Sequence, residues 1–179
     1  MSTTRITRMD TATREQWSLA EQVSEPVDRA LPERIMAILA SLGGIDDGFA
    51  IDQLGHALQT ATRAERAGAD SEIIVAALVH DVGKIFGDEN HDKVSAEIIH
   101  PYVRDDVYQV VRNHQDFTAL YIAPIFGGDP NRREEWRSAS WFSLACEFVD
   151  DWDQQSFDPS YASEPLEHFT PQIRDVFRV

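Results

Sequence analysis

The sequence is poor in cysteine, in positive charge and in long apolar runs. Its 179 residues include a single cysteine, Cys146, which excludes an internal disulfide and a cysteine-rich zinc site. With 16 basic and 31 acidic residues the net charge is -15, which argues against nucleic acid or an anionic membrane as a partner. No apolar run approaches the length of a membrane span, and Met1 to Asp10 lacks an apolar signal segment. We therefore expect a cytoplasmic protein, monomer or homodimer, that acts on a small molecule.

The residues that are present fit one all-α domain. The length suits a single domain with its own core, predicted here over 1–179. A polar N-terminal extension is predicted over 1–27, and a C-terminal tail with a short helix is predicted over 156–179. Apolar residues recur at helical spacing along most of the chain, and no segment shows the alternation of a strand. The fold class is therefore predicted to be an all-α helical bundle.

One predicted helix is apolar on every side. Residues 73–79 are all hydrophobic, within a helix predicted over Ser71 to Phe86, and such a helix is expected at the centre of a fold. Asp52 is expected to cap the helix before it, and the Gly-rich segment Phe126 to Asn131 is a loop or lid candidate. The other predicted helices are Arg14 to Val23, Leu31 to Gly43, Asp52 to Ala67, His91 to Pro101, Arg104 to Phe117, Glu134 to Gln155 and Thr170 to Phe177.

A histidine and an aspartate, His80 and Asp81, follow the apolar run directly, near the C-terminal end of this predicted helix. Burying both groups is costly unless something binds them, and a metal ion is the most economical explanation. Imidazole and carboxylate ligands suit iron, manganese, zinc or similar divalent ions. Six protein ligands suit two metals bridged by Asp81 better than one metal with an open position. The other candidate ligands lie on further predicted helices: His56, His91, His114 and Asp153.

Each of these additional ligands has an ordinary structural explanation when it is taken alone. His56 and His114 are typical of core or surface histidines, and His91 stands at the edge of a polar loop. Asp153 ends the acidic run Asp150-Asp151-Trp152-Asp153, for which a solvated face is the usual interpretation. Only the ordered set indicates a metal site.

That order resembles the HD superfamily of metal-dependent enzymes, whose signature is a histidine, a His-Asp pair and a distal aspartate. Two additional histidines, here His91 and His114, mark its dinuclear members. The segment HALQTATRAERAGADSEIIVAALVHDVGK resembles the mixed-valent diiron oxygenase branch, which includes myo-inositol oxygenase and the 2-amino-1-hydroxyethylphosphonate dioxygenase group. The resemblance implies an Fe(II)/Fe(III) pair on the six ligands, with dioxygen as co-substrate. It also implies cleavage of a C–C or C–P bond in a small hydroxylated compound.

The resemblance also implies roles for residues around the metals. Lys84 matches a lysine that faces the substrate in inositol oxygenase, so Lys84 and Asp81 are predicted to be catalytic. Gln53, one helical turn before His56, is a predicted substrate contact, as are Lys84, Asp46 and Thr118. Arg112 is a weaker pocket candidate.

Several positions depart from the phosphonate-cleaving relatives. Thr118 and Asp150 stand where that group has a phosphonate-binding lysine and an arginine, and Asp46 and Phe49 stand where it has a tyrosine and a glutamate that guard the site. An identical substrate is therefore not expected. Two other functions remain open: a phosphohydrolase of the wider superfamily, acting on a nucleotide or phosphate monoester, and a metal-stabilised regulatory module without turnover. Manganese or another divalent metal remains an alternative to iron.

Overall fold

The computed structural model describes residues 5–178, and in that part of the chain eight α-helices occur and no β-strand. The all-α prediction is confirmed. The first four residues of the predicted N-terminal extension lie outside the described residues. None of the described helices is both long and apolar enough to cross a membrane. The helices are α1 Arg14–Arg29, α2 Leu31–Ala40, α3 Gln53–Arg66, α4 Ser71–Val79, α5 His91–Ile99, α6 Asp105–Phe126, α7 Phe142–Glu147 and α8 Thr170–Val176.

Helix α4 is the centre of the fold, as predicted. All of its residues from Ile73 to Val79 are buried, and it packs against α3, α5, α6 and α8. Its first turn is fixed by Asp70, whose side chain accepts hydrogen bonds from two backbone amides. Asp52 caps α3 in the predicted way, accepting from the backbone N–H of Gly55 at 2.8 Å. These caps and the apolar contacts determine where α3 and α4 begin.

The predicted continuation of α4 to Phe86 is wrong. The α-helix ends at Val79, and a 3-10 turn follows over Val82–Ile85. The reason is a close approach between Gly83 and the start of α5: a Cβ on this glycine would lie 2.2 Å from the carbonyl oxygen of His91. The tighter turn therefore lets α5 reach the end of α4.

Helix α6 is longer than predicted, because apolar residues continue at helical spacing beyond Phe117. It runs to Phe126 and ends at Gly127, whose φ of 80° is left-handed and suits glycine. Helix α1 is also longer than its prediction and ends at Arg29 rather than Val23, with Arg29 paired one turn back to Glu25.

The predicted helix from Glu134 to Gln155 is not continuous. A 3-10 turn covers Arg132–Trp136, α7 follows, and a π-helical turn covers Phe148–Asp153. The break allows Trp136 and Trp141 to pack against each other with ring centroids 5.3 Å apart. Both tryptophans, and Trp152 beyond them, belong to the core or pack against it, as predicted.

Candidate metal centre

Six polar side chains converge at the end of α4. His56 comes from α3, His91 is the first residue of α5, His114 lies midway along α6, and Asp153 ends the π-helical turn. His80 and Asp81 follow α4 directly. Each of the six is at most 4% exposed. The structure thus brings together every residue that the sequence singled out as a ligand.

The four histidines share one hydrogen-bonding arrangement. In each, Nδ1 lies within 3.0 Å of a backbone carbonyl oxygen, to which only a protonated nitrogen can donate. In the neutral ring this leaves Nε2 without a proton and free to bind a metal, as in many metal sites. The pairs are His56 with Ser156, His80 with Ala77, His91 with Asp88, and His114 with Val111.

The Nε2 atoms face one another in two pairs. His56 and His80 approach to 3.0 Å, and His91 and His114 to 3.2 Å. Two lone pairs at such distances repel unless a proton or a metal ion lies between the two nitrogens. Two nitrogens bound to one metal at about 2.1 Å, near a right angle, lie about 3.0 Å apart. Both pairs therefore fit the edges of two separate coordination spheres.

Asp81 stands between the two histidine pairs. Its Oδ2 lies 3.6 Å from Nε2 of His56, and its Oδ1 lies 3.7 Å from Nε2 of His80. The same Oδ1 is 3.0 Å from Nε2 of His91 and 3.4 Å from Nε2 of His114. Oδ1 is buried and has no hydrogen-bond donor, which is the expected state of an oxygen placed to bind a metal.

Asp153 completes the side of the site that holds His56 and His80. Its Oδ1 lies 3.2 Å from Nε2 of His56 and 3.6 Å from Nε2 of His80, and its buried Oδ2 has no hydrogen-bond partner. The donor set therefore divides into two groups that share Asp81, namely His56, His80 and Asp153 on one side and His91 and His114 on the other.

Both carboxyls of the cluster are anionic. Burial is the largest single influence and raises the pKa of a carboxyl, but the neighbouring histidines together outweigh it. As a result the pKa of Asp81, near His80, and that of Asp153, near His56, lie well below the ordinary value. Burial lowers the pKa of His56, but the nearby carboxylate of Asp153, with smaller contributions from other neighbours, raises this pKa by more than burial lowers it. The pKa of His56 therefore lies above its ordinary value. A proton on His56 and a metal ion are alternative ways to balance these carboxylates.

Lys84 lies beside the cluster and is only 13% exposed in its side chain. Its Nζ is 2.9 Å from Oδ2 of Asp47 and 3.2 Å from Oδ2 of Asp81. Burial lowers the pKa of this lysine, but Asp81 and Asp47 raise it by more, so the group stays cationic. The same Asp47 oxygen accepts from Nε2 of Gln53 at 2.9 Å. Lys84 therefore faces the site and not bulk solvent.

A cavity of about 710 Å³ opens onto the cluster. Of the described side chains that line it, only Lys84 and Arg132 are cationic apart from the histidines. Both already have carboxylate partners, because Arg132 pairs with Asp116 and Lys84 with Asp47 and Asp81. The remaining wall is largely apolar, with acidic side chains at Asp88 and Asp129. The cavity therefore offers little free positive charge away from a bound metal.

An aromatic stack closes one side of the cavity. Phe49 stacks on Phe157 with ring centroids 4.0 Å apart, and Phe157 stacks on His56 at 4.2 Å with the ring planes 7° apart. Phe49 is nonetheless 48% exposed, so one of its faces remains open. The stack fixes the ring plane of His56 and forms an apolar wall beside it.

The predicted substrate contacts divide into those near the cavity and those away from it. Lys84 and Thr118 line the cavity, and the buried Gln53 reaches its edge through Asp47. Asp46, a predicted substrate contact, does not line the cavity. It is exposed, and its Oδ1 accepts a hydrogen bond from the backbone N–H of Gly48. Arg112 does not line the cavity either, and it pairs with Glu97.

The sequence prediction missed three residues of the site, Asp47, Tyr121 and Phe157, which all line the cavity. Asp47 differs by one position from the predicted Asp46, and only the loop conformation decides which of the two faces inward. Tyr121 lies beyond the predicted end of α6. Its pKa is raised to about 12 by burial and by its hydrogen bond to Asp150, so it remains a neutral phenol. A prediction that extended α6 to Phe126 would have included Tyr121 in the helix.

The comparisons with known proteins agree with this geometry. The sequence profile of the HD domain matches residues 54–156, which include all six clustered residues and more than half of the chain. A [1-hydroxy-2-(trimethylamino)ethyl]phosphonate dioxygenase (glycine-betaine-forming) from Leisingera caerulea is 33% identical over 96 residues, which are 43% of this chain and 49% of that protein. The match thus spans about half of the relative's length. The profile match and the His/Asp cluster together show that the chain belongs to the HD domain family.

Proposed function

We propose that the protein is an oxygen-dependent diiron oxygenase that cleaves a C–P or C–C bond of a small hydroxylated substrate. The observation that carries this proposal is the position of Asp81 between two histidine pairs, each with its Nε2 atoms 3.0 to 3.2 Å apart. A site for one metal would have no use for the second pair. His56, His80 and Asp153 would hold one ion, His91 and His114 the other, and Asp81 both.

The donor chemistry suits iron. Imidazole and carboxylate ligands without cysteine match non-haem iron as well as manganese. Two irons, when bound, would supply the redox chemistry and the Lewis acidity that activation of dioxygen and of a hydroxyl group requires. Among the chain's own residues, Lys84 is placed to donate a hydrogen bond to a substrate oxygen beside Asp81, because its Nζ lies 3.2 Å from that carboxylate.

The relative supports the choice of substrate class. Its name describes a dioxygenase that acts on a hydroxylated phosphonate with a trimethylamino group. If this chain has a similar activity, the hydroxyl group of its substrate would bind near Asp81 and Lys84. The aromatic stack of Phe49 and Phe157 would face an apolar or cationic part of the substrate. A polyol is the other substrate class that the proposal includes, because Lys84 matches the inositol oxygenase motif.

A metal-dependent phosphohydrolase is the second candidate. It is favoured by the family itself and by the same two groups of ligands, which would serve equally well to activate water. The charge of the cavity opposes it, since the cationic side chains Lys84 and Arg132 are already paired with carboxylates. A nucleotide would find few partners for its outer phosphates.

Oxygen consumption separates the two candidates. The protein is reconstituted with iron and ascorbate and supplied in turn with a panel of small hydroxyphosphonates and polyols, which includes [1-hydroxy-2-(trimethylamino)ethyl]phosphonate, 2-amino-1-hydroxyethylphosphonate, myo-inositol and their close analogues. We expect oxygen uptake that depends on one of these substrates and matches product formation, with none in Asp81→Ala. Release of phosphate from a phosphate monoester without oxygen, by protein loaded with a redox-inert metal, would replace the oxygenase by the phosphohydrolase.

A further inference from the structure

Asp47 links the loop between α2 and α3 to the metal centre. Its Oδ2 accepts hydrogen bonds from Nζ of Lys84 and from Nε2 of Gln53, both at 2.9 Å. Lys84 is thereby held between two carboxylates, since its Nζ also lies 3.2 Å from Asp81. The sequence analysis predicted roles for Lys84 and Gln53 but none for Asp47.

The loop that carries Asp47 is held independently of Lys84. The backbone N–H of Gly44 donates to Oδ2 of Asp52 at 3.1 Å, and the backbone N–H of Gln53 donates to the carbonyl oxygen of Ile45 at 3.1 Å. Farther along, Phe49 is stacked on Phe157. Asp47 is therefore placed by the fold of the loop and does not depend on the lysine to stay near the cavity.

The position of Asp47 changes what Lys84 can bind. An unpaired lysine beside two metal ions would attract phosphate or another anion. Here the ammonium already has two carboxylate partners, and an anion arriving at it would face the like charge of Asp47. Because Asp47 lines the cavity and is 30% exposed in its side chain, it meets an incoming ligand directly.

We propose that Asp47 is a specificity-determining residue that holds Lys84 beside Asp81 and disfavours an anionic group at the lysine. The inference rests on the proposed function only in assuming two metal ions at the centre. It assigns neutral or cationic chemistry to the part of the substrate that lies between Lys84 and Asp47. Any anionic group of the substrate is then directed to the metals.

A double-mutant cycle with inorganic phosphate as the probe tests this role. Phosphate binding is measured by calorimetry on the metal-loaded wild type, Asp47→Asn, Lys84→Met and the double variant. Loss of the Asp47 charge should tighten phosphate binding by about tenfold, and the gain should vanish when Lys84 is absent. Glu135→Gln, which removes an exposed carboxylate outside the cavity lining, should leave the affinity unchanged.

Three results would overturn the proposal: an unchanged affinity in Asp47→Asn with full metal content, an equal gain in the Lys84→Met background, or no phosphate binding in any of the proteins. Asp47→Ser provides a second measurement with the same expected sign, and Asp47→Glu should restore the wild-type affinity. The assay needs neither oxygen nor turnover and works with manganese in place of iron. If the protein shows no oxygenase activity, the result of the phosphate-binding assay still stands. If the phosphate-binding assay contradicts the role of Asp47, the oxygenase proposal still stands.

Discussion

His91 is the residue that distinguishes a two-metal site from a one-metal site. Taken alone, a histidine after a polar loop is typical of a protein surface, yet it is only 4% exposed. Its Nδ1 lies 2.7 Å from the carbonyl oxygen of Asp88, and its Nε2 lies 3.0 Å from Oδ1 of Asp81. Both nitrogens are therefore committed, one to the backbone and one to the cluster.

Replacing His91 with alanine should remove one metal ion and leave the other. The group of His56, His80 and Asp153 keeps its donors, whereas the second group would retain only His114 and Asp81. Metal analysis after dialysis should give about one equivalent per chain for this variant and about two for the wild type. His100→Ala is the matched control, because His100 directly follows α5 and is exposed and outside the cluster. Two retained equivalents in His91→Ala would refute the dinuclear assignment.

Replacing Lys84 with methionine should lower activity without loss of metal. The substitution preserves the length of the side chain and removes the ammonium donor that lies 3.2 Å from Asp81, so kcat/KM should fall by about 100-fold. Arg174→Met is the control, since Arg174 is exposed, pairs with the exposed Glu33 and does not line the cavity. A Lys84→Met enzyme within twofold of wild type would remove this lysine from the mechanism.

The sequence was sufficient to predict site residues whose side-chain type is that of a metal ligand. It was not sufficient where the conformation of a loop decides which of two neighbouring residues faces the cavity. Four histidines and two aspartates in a fixed order were sufficient to identify the cluster. Asp46 and Asp47 are chemically identical neighbours, and only the backbone of the loop turns Asp47 toward Lys84 and Asp46 toward Gly48. Arg112 was assigned to the cavity, whereas its partner Glu97 holds it elsewhere.

At the scale of elements, the junction between α4 and α5 positions three of the six candidate ligands, His80, Asp81 and His91. Gly83 donates its backbone N–H to Oγ of Ser95 at 2.9 Å, and its Cα faces the backbone of His91 without room for a side chain. This contact couples the His80-Asp81 turn to the first residue of α5. The distance between the two groups of candidate ligands therefore depends on a glycine that is not itself a ligand.

Gly83→Ala should disrupt both stability and the second metal group. The added Cβ would overlap the backbone of His91, which cannot move aside like the end of a flexible side chain, so a loss of about 3 kcal/mol in the free energy of unfolding is expected. Urea titration measures this loss. Gly55→Ala is the control within α3, where the added Cβ meets side-chain atoms at 3.3 Å or more and helix propensity favours alanine. Equal stability of the two variants would show that the Gly83 contact is dispensable.

Helices were predictable as elements, but their breaks were not. The apolar spacing that predicted α4 and α6 is a property of each segment alone. The end of α4 at Val79 and the π-helical turn over Phe148–Asp153 depend instead on contacts with α5 and with the cluster. A π-helical turn is common at functional sites, and here it positions Asp153 beside His56. Such a local deviation has no signature in hydrophobic periodicity.

At the scale of the whole molecule, the cluster joins elements that are far apart in sequence. Buried carboxylates and histidines from α3, α5, α6, the end of α4 and the π-turn meet at one point. Without a cation, Oδ1 of Asp81 and Oδ2 of Asp153 are buried and unpartnered, which costs free energy. Metal binding should therefore stabilise the entire fold.

Added metal should raise the melting temperature of the metal-free protein in a concentration-dependent way. A ligand at 100 times its Kd stabilises the native state by about 2.7 kcal/mol. For a domain of this size that corresponds to a rise of roughly 5 to 10 °C. Differential scanning fluorimetry with Fe(II) under anaerobic conditions, or with Mn(II), measures the effect. Asp81→Ala should show little response, and a wild type that melts at the same temperature with and without metal would contradict the linkage.

The most direct test of the central claim is an anomalous diffraction experiment at the iron absorption edge on crystals of the iron-loaded protein. The account predicts two iron peaks per chain, one in contact with His56, His80 and Asp153, the other with His91 and His114, and both in contact with Asp81. A single peak in crystals grown with excess iron, or two peaks of which only one touches Asp81, would contradict it.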